Sequence, residues 1–332
     1  MAEPAATIPF TIVTGFLGAG KTSLVKHLLQ GDHGHRLALI INEFGEVNID
    51  RQLIAVEAWD GILELTNGCV CCAVHEDLLN GLDGLLERRR NGALQFDHVV
   101  METTGLAKAG PIVQTLSGKT LKQHFHLNSV VTVVDAFHVA TQLHQYEEAQ
   151  EQVGTADIIL LNKTDLADDS ALAALTTRLS DINGLARITR CRDSKVDAGE
   201  ILAAPISRHT DIWAPKRVAQ GARGHTHSFP DRVRSFAISF TEPLDHGRVQ
   251  DWLSYVIMRY SERLLRYKGI LNLHDRSSRI VVQGLHSQIA VTADRDWSTG
   301  EQRQTTVVFI GKNLPEAEFR NGLRQCIATT ES

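Results

Sequence analysis

Chemistry is concentrated in four short runs of this sequence. The first is Gly15-Phe16-Leu17-Gly18-Ala19-Gly20-Lys21-Thr22, which fits the spacing Gly-x-x-x-x-Gly-Lys-Thr. It follows an apolar run, Thr11 to Thr14, that reads as a strand, and it opens a helical pattern from Ser23. Glycines at 15, 18 and 20 let the backbone through Ala19, Lys21, Thr22 and Ser23 wrap tightly, so that several N–H groups converge on phosphate oxygens at a positive helix end. Lys21 is expected to reach the β and γ phosphates, and the Thr22 hydroxyl to ligate Mg²⁺. A glycine-rich turn with no ligand is the plain alternative, and it has no need of a Lys-Thr pair.

The second run is Asn162-Lys163-Thr164-Asp165, directly after the apolar stretch Ile158 to Leu161. At a strand end behind a P-loop, this pattern reads guanine. The Asp165 carboxylate accepts two N–H bonds from the base edge, and the Lys163 stem packs over the ring. Adenine would turn an acceptor toward that carboxylate and leave a buried charge badly paired, so GTP is expected over ATP. The third run, Val99-Val100-Met101-Glu102-Thr103-Thr104-Gly105, ends another apolar strand on an acid. Glu102 is expected to support Mg²⁺ or its water, and Gly105 to let the next loop approach the γ-phosphate. Lys21, Thr22 and Glu102 are thus the candidate catalytic set. No Gln stands where it would orient an attacking water, so hydrolysis is expected to be slow without a partner.

The fourth run is Gly68-Cys69-Val70-Cys71-Cys72, which holds three of the five cysteines. Neighbours this close do not readily bridge one another, and thiolates at a helix start suit soft or borderline cations. Two or three of Cys69, Cys71 and Cys72 are expected to bind metal with an outside ligand, Glu43, Glu46 or His75, of which Glu46 is the first choice. An open set of this kind suits a carried ion better than a closed structural site. Cys191 and Cys326 are isolated and read as packed side chains, and His225 with His227 reads as a solvated pair, with recruitment of metal as the alternative.

The elements that must position these residues follow from the apolar runs. Thr11 to Thr14, Leu37 to Asn42, Val99 to Met101, Val130 to Val134 and Ile158 to Leu161 read as strands buried on both faces. Helical patterns such as Ser23 to Leu29 and Asp77 to Arg89 lie between them. That alternation is the signature of an α/β fold with a mostly parallel, helix-covered sheet, here a P-loop NTPase over residues 1–213. The Pro-, Gly-, Arg- and His-rich run Ala214 to Pro230 reads as a linker. Residues 231–332 read as a smaller α+β domain, ferredoxin-like in its sheet. Its expected strands are Arg232 to Phe240, Leu264 to Leu273, Ile280 to Gln283, Ser287 to Thr292 and Thr306 to Ile310, and its expected helices Gly247 to Glu262 and Pro315 to Cys326.

The chain has 332 residues, 43% hydrophobic and 22% charged, with a formal net charge of -5. There is no overall basic surface to track a nucleic acid, so that partner class is set aside. No apolar stretch approaches the about 18 residues needed to span a bilayer, and no Lys or Arg precedes the first apolar run. A soluble, cytoplasmic protein with no membrane partner and no signal peptide is therefore expected.

Taken in order, GFLGAGKT, NEFGEVNID, LTNGCVCC, ETTG and NKTD closely resemble the CobW family of P-loop GTPases, and within it the YjiA-like members. LLRYKGIL, VVQGLH and TVVFIGKNLPEAEF resemble that family's second domain, so the likeness covers nearly the whole chain. The resemblance implies a SIMIBI-type nucleotide domain, hydrolysis of GTP to GDP and phosphate, and a metallochaperone role with Zn²⁺ as the favoured metal and an unidentified metalloprotein as client. It implies that Cys69, Cys71 and Cys72 bind metal near the nucleotide and that Asn42 to Asp50 form part of a nucleotide-sensitive loop; members of this nucleotide-binding class often act as dimers, so a homodimer is kept open as a partner. Some relatives carry a metal-binding Glu just before the NEFGE run. This chain has Ile41 there, so that ligand is not carried over. The His-rich linker of many members is reduced to His225 and His227. The alternatives are a nucleotide-gated metal sensor or buffer without turnover, a cobalt or nickel insertion factor, and a P-loop kinase, which the guanine-reading run argues against.

Overall fold

A computed structural model describes residues 7–42, 62–65, 71–203 and 232–329. The chain divides into two compact units, Met1–Thr176 with Ala186–Thr210 and Thr177–Leu185 with Asp211–Ser332. The first is built on seven strands: β1 (Ile8–Thr14), β2 (Leu37–Asn42), β3 (Ile62–Leu65), β4 (His98–Glu102), β5 (Phe125–Asp135), β6 (Ile158–Asn162) and β7 (Arg187–Arg190). All pair in parallel, in the order β3-β2-β4-β1-β5-β6-β7. Every residue of β4 and β6 is buried, as the unbroken apolar runs require of strands covered on both faces.

The connecting helices are α1 (Lys21–Gln30), α2 (Cys71–Arg90), α3 (Ala109–Leu116), α4 (Val139–Gln145), α5 (Glu147–Thr155), α6 (Asp169–Ile182) and α7 (Ala198–Leu202). α2 begins six residues earlier than its apolar pattern suggests. Leu78, Leu82, Leu85 and Leu86 are its buried stripe, and the turns before Asp77 carry no such periodicity. In a parallel sheet every strand ends at the same edge. With β1 flanked by β4 and β5, the loop after β1 lies where the strand order reverses, the usual ligand crevice of open α/β sheets.

The opposite, amino-terminal edge of this sheet buries a histidine. His98 is fully buried, with Nε2 at 2.9 Å from Thr11 Oγ1, whose oxygen also accepts from Asn128 Nδ2 at 3.2 Å. Burial, with His35 nearby, lowers its pKa from 6.5 to about 3. An unfolded chain would therefore take up a proton below about pH 6.5 that the folded chain refuses. The stability this represents is full above that pH and drains away as pH falls toward 3, at about 1.4 kcal/mol per pH unit. Urea midpoints of the wild type are expected to fall between pH 7 and pH 5 by an amount equivalent to about 2 kcal/mol, with a flatter profile for His98→Gln; equal slopes for both proteins would remove His98 as the cause.

The second unit is a five-stranded antiparallel sheet of β8 (Val233–Phe240), β9 (Leu264–Leu271), β10 (Ser278–Leu285), β11 (Gln288–Asp296) and β12 (Thr305–Lys312), in the order β11-β10-β9-β12-β8. β12 lies between β8 and β9, which α8 (His246–Arg259) connects, giving the split β-α-β arrangement of ferredoxin-like sheets. α9 (Glu316–Gln325) follows β12, with Pro315 at its cap. Trp252 of α8 and Phe319 of α9 meet Phe309 of β12 edge-on, with ring centroids 6.0 and 5.0 Å from it. α8 starts at His246 because the Asp245 carboxylate accepts from the Arg248 N–H at 2.9 Å. Among the described residues, no helix of the protein is long and apolar enough to cross a membrane.

Candidate functional site

The loop after β1 turns on three glycines with positive φ, Gly15 at 138°, Gly18 at 72° and Gly20 at 111°. Gly20 forms the cap of α1 and has no side chain to occupy the first-turn N–H groups of the helix. A Cβ on Gly20 would lie 2.4 Å from Asn162 Nδ2 and 2.7 Å from Ser194 Oγ, so only glycine lets the loop dock there. Lys21 is buried within the loop, with Nζ 3.3 Å from the Phe16 carbonyl oxygen. Ala19 is fully buried, and Thr22 and Ser23 follow in the first turn of α1.

Glu102, the last residue of β4, is buried and accepts a hydrogen bond from Thr22 Oγ1 at 2.7 Å. The structure thus brings together a hydroxyl from the first turn of α1 and a carboxylate from the end of β4. Both are hard oxygen donors, the kind Mg²⁺ takes alongside phosphate and water, so the pair fits that ion. The segment after Glu102 is drawn onto the phosphate loop: a Cβ on Gly105 would lie 2.7 Å from the Leu17 backbone nitrogen. Gln152 Nε2 fixes this segment from α5, donating to the carbonyls of Gly105 and Ala107, each at 3.1 Å.

On the other side of the loop stands the end of β6. Asn162 is buried and saturated: Nδ2 donates to Ala19 O and Ser194 Oγ, both at 2.9 Å, and Oδ1 accepts from Ser194 N at 2.9 Å. Lys163 has a left-handed backbone, φ 58°, and places Nζ 2.8 Å from Gly18 O and 2.7 Å from Asp135 Oδ2. Asp165 is exposed in the single turn Thr164–Leu166 that follows. Burial would raise the Asp135 carboxyl, but hydrogen bonds from Lys163 and His138 outweigh it and hold it below the ordinary carboxylate range.

Asp135, Ser194 and Gln152 were not legible as site residues. Asp135 ends an apolar strand as Glu102 does, and the same rule applied to Val130 to Val134 finds it. Ser194 sits in a left-handed pair with Asp193, φ 56° and 51°, for which the sequence carries no glycine to give warning. Cys191, buried with its thiol pushed up to about 11 by desolvation, is a packed side chain as expected, and so is Cys326.

The metal motif falls largely beyond what is described. Cys69, Glu43, Glu46, His225 and His227 lie outside the described residues, as does the stretch 43–50 of the expected nucleotide-sensitive loop. Cys71 and Cys72 are the first two residues of α2, with His75 one turn on; only their backbone is described. Ile41 is buried in β2. Among the described residues no three His, Cys, Asp or Glu side chains are grouped to hold a metal ion.

Residues 9–190 match the family model described as CobW/HypB/UreG, nucleotide-binding domain, and residues 233–327 match the cobalamin synthesis protein cobW C-terminal domain. The chain is 38% identical to the zinc chaperone YjiA of Escherichia coli (strain K12) over 317 residues, 94% of this chain and 96% of that one. It is 33% identical to the zinc chaperone CobW of a Sinorhizobium species over 344 residues, 94% and 95% of the two chains. The crystal structure of Zn(II)-bound YjiA GTPase from E. coli superposes with a TM-score of 0.76 at 31% identity, covering 97% of this chain and 100% of that one. With both domains matched in order and full-length relatives on either side, the chain belongs to the CobW family of P-loop proteins, among its YjiA-like members.

Proposed function

We propose that this protein is a GTP-hydrolysing metallochaperone, which takes up Zn²⁺ through Cys69, Cys71 and Cys72, with Glu46 as a further ligand, and couples its transfer to a client metalloprotein to GTP binding and hydrolysis. The observation that carries the nucleotide half is the docking of two strand ends, those of β4 and β6, on one phosphate loop, through Glu102 to Thr22, Asn162 to Ala19 and Lys163 to Gly18. In this reading the loop from Gly15 to Ser23 cradles the phosphates and Asn162, Lys163 and Asp165 read the base. Lys21 neutralises the charge that builds on the β and γ oxygens. Thr22 and Glu102 would hold Mg²⁺, which when bound would supply positive charge against the charge developing on the phosphates. Zinc as cargo is supported by the names of the relatives, which are zinc chaperones across nearly the whole length of this chain.

The coupling rests on placement. α2 starts at Cys71 and follows β3, so its first residues belong to the carboxyl-end edge of the same parallel sheet that carries the phosphate loop. Division at 1–213, 214–230 and 231–332, with the protein in the cytoplasm, completes the reading. Phosphate release from GTP and from ATP, by apo protein with and without equimolar zinc, tests it beside Cys71→Ala. GTP is expected to turn over about a hundredfold faster than ATP, with zinc changing the rate only where Cys71 is present. A zinc effect equal in both proteins, or none in either, would detach the thiols from the nucleotide cycle.

A further inference from the structure

Asp135 is the last residue of β5, 2% exposed, beside β1 on the flank that β6 extends. Four donors meet its carboxylate. Oδ1 accepts from the N–H groups of Phe137 at 2.9 Å and His138 at 3.2 Å, and Oδ2 faces Lys163 Nζ at 2.7 Å and His138 Nδ1 at 3.1 Å. The two backbone donors lie within three residues of Asp135 and fix the carboxylate in place. Lys163 comes from the next strand, 28 residues away in sequence, and carries its ammonium onward to Gly18 O at 2.8 Å. It does so from a left-handed backbone, φ 58°, a conformation that persists in a non-glycine residue only when its surroundings hold it.

We infer that Asp135 is a positioning residue of the base-reading site: its carboxylate pins the Lys163 ammonium onto the Gly18 carbonyl, so that the turn carrying Asp165 and the loop carrying the phosphates stay in one register. The inference rests on the guanine reading of Asn162 to Asp165. A neutral carbonyl alone is a weak anchor for an ammonium that water solvates strongly. An opposite charge held by its own backbone contacts, buried on one side of the bond, makes the arrangement specific. Because Lys163 lies on the base side and Lys21, Thr22 and Glu102 on the phosphate side, the effect belongs to nucleotide retention and not to bond cleavage.

GDP release, together with KM and kcat for GTP, tests this in the full chain for wild type, Asp135→Asn, Lys163→Met and the double variant. Asn preserves the side-chain shape and an oxygen for the Phe137 and His138 N–H groups. Asp135→Asn is expected to speed GDP release and raise KM by about tenfold, as loss of a charge-assisted bond predicts, with kcat within about twofold of wild type. The double variant is expected to match Lys163→Met, since both remove the same tie. Asp135→Glu, which keeps the charge, should release GDP more slowly than Asp135→Asn. Wild-type release rates in Asp135→Asn, multiplying effects in the double variant, or a fall in kcat at constant KM would each overturn the assignment. Should Asp135→Asn fail to fold, Asp135→Glu against Lys163→Met makes the same comparison. GDP against ADP binding by wild type separates the two levels. Without guanine preference, the base reading falls and takes this inference with it; with preference intact and Asp135→Asn unchanged, the inference falls alone.

Discussion

Glu102→Gln is expected to lower single-turnover GTP hydrolysis by about two to three orders of magnitude, the range found when one preorganised charge-stabilising contact is lost from an active site. GDP should still bind within a few-fold of wild type. The amide keeps the shape of the side chain and can accept from Thr22 Oγ1, now at 2.7 Å from the carboxylate. It lacks the charge with which Glu102 would hold a divalent cation, so the loss is expected in the transition state. Thr22→Ala should cost a comparable factor, and the two together little more than either, because both act through one ion. Phosphate release across a Mg²⁺ titration checks this: the variants should need far more Mg²⁺, and multiplying losses at saturating Mg²⁺ would show that Thr22 and Glu102 do not share it.

Asp165→Asn should exchange one base for another. Guanine offers N1–H and a C2 amino group, two donors for a carboxylate, whereas xanthine keeps N1–H but has a carbonyl at C2. The Asn amide can accept from the first and donate to the second. Affinity for GDP is expected to fall by about three orders of magnitude and XDP to become the preferred ligand, since a site built to bond a polar base edge strongly rejects one that leaves its groups unmatched. Competition between GDP, XDP and ADP against a fluorescent analogue reads the result. A variant that loses all three ligands alike would mean that Asp165, exposed after Lys163, supports the turn without reading the base.

The legible parts of this fold were those in which burial is two-sided. β1, β2, β4, β5 and β6 announce themselves as unbroken apolar runs because each is covered on both faces. β7, Arg187–Arg190, did not: it is an edge strand with exposed ends and four residues, and its pairing with β6 cannot be seen in its composition. α5, Glu147–Thr155, was hidden differently. Its buried face includes Gln150 and Gln152, whose amides are satisfied by the carbonyls of Leu143, Gly105 and Ala107, so the helical period is written in polar residues. The phosphate loop, Glu102 and Asn162 to Asp165 were legible because their chemistry needs particular residue types next to particular elements. Asp135 obeys the same strand-end rule as Glu102 yet belongs to no run of motif residues. Ser194 reaches the site by a backbone turn that its neighbours impose.

Zinc affinity in the GTP-analogue and GDP forms of the full chain measures the coupling between zinc and nucleotide. The two affinities are expected to differ, and the nucleotide affinities measured with and without zinc to differ by the same factor, because coupling between two binding sites is reciprocal. Cys71→Ala should abolish the difference while leaving GDP binding in place. Equal zinc affinities in both nucleotide forms would exclude coupling, leaving a nucleotide site and a thiol motif that share a protein but not a cycle.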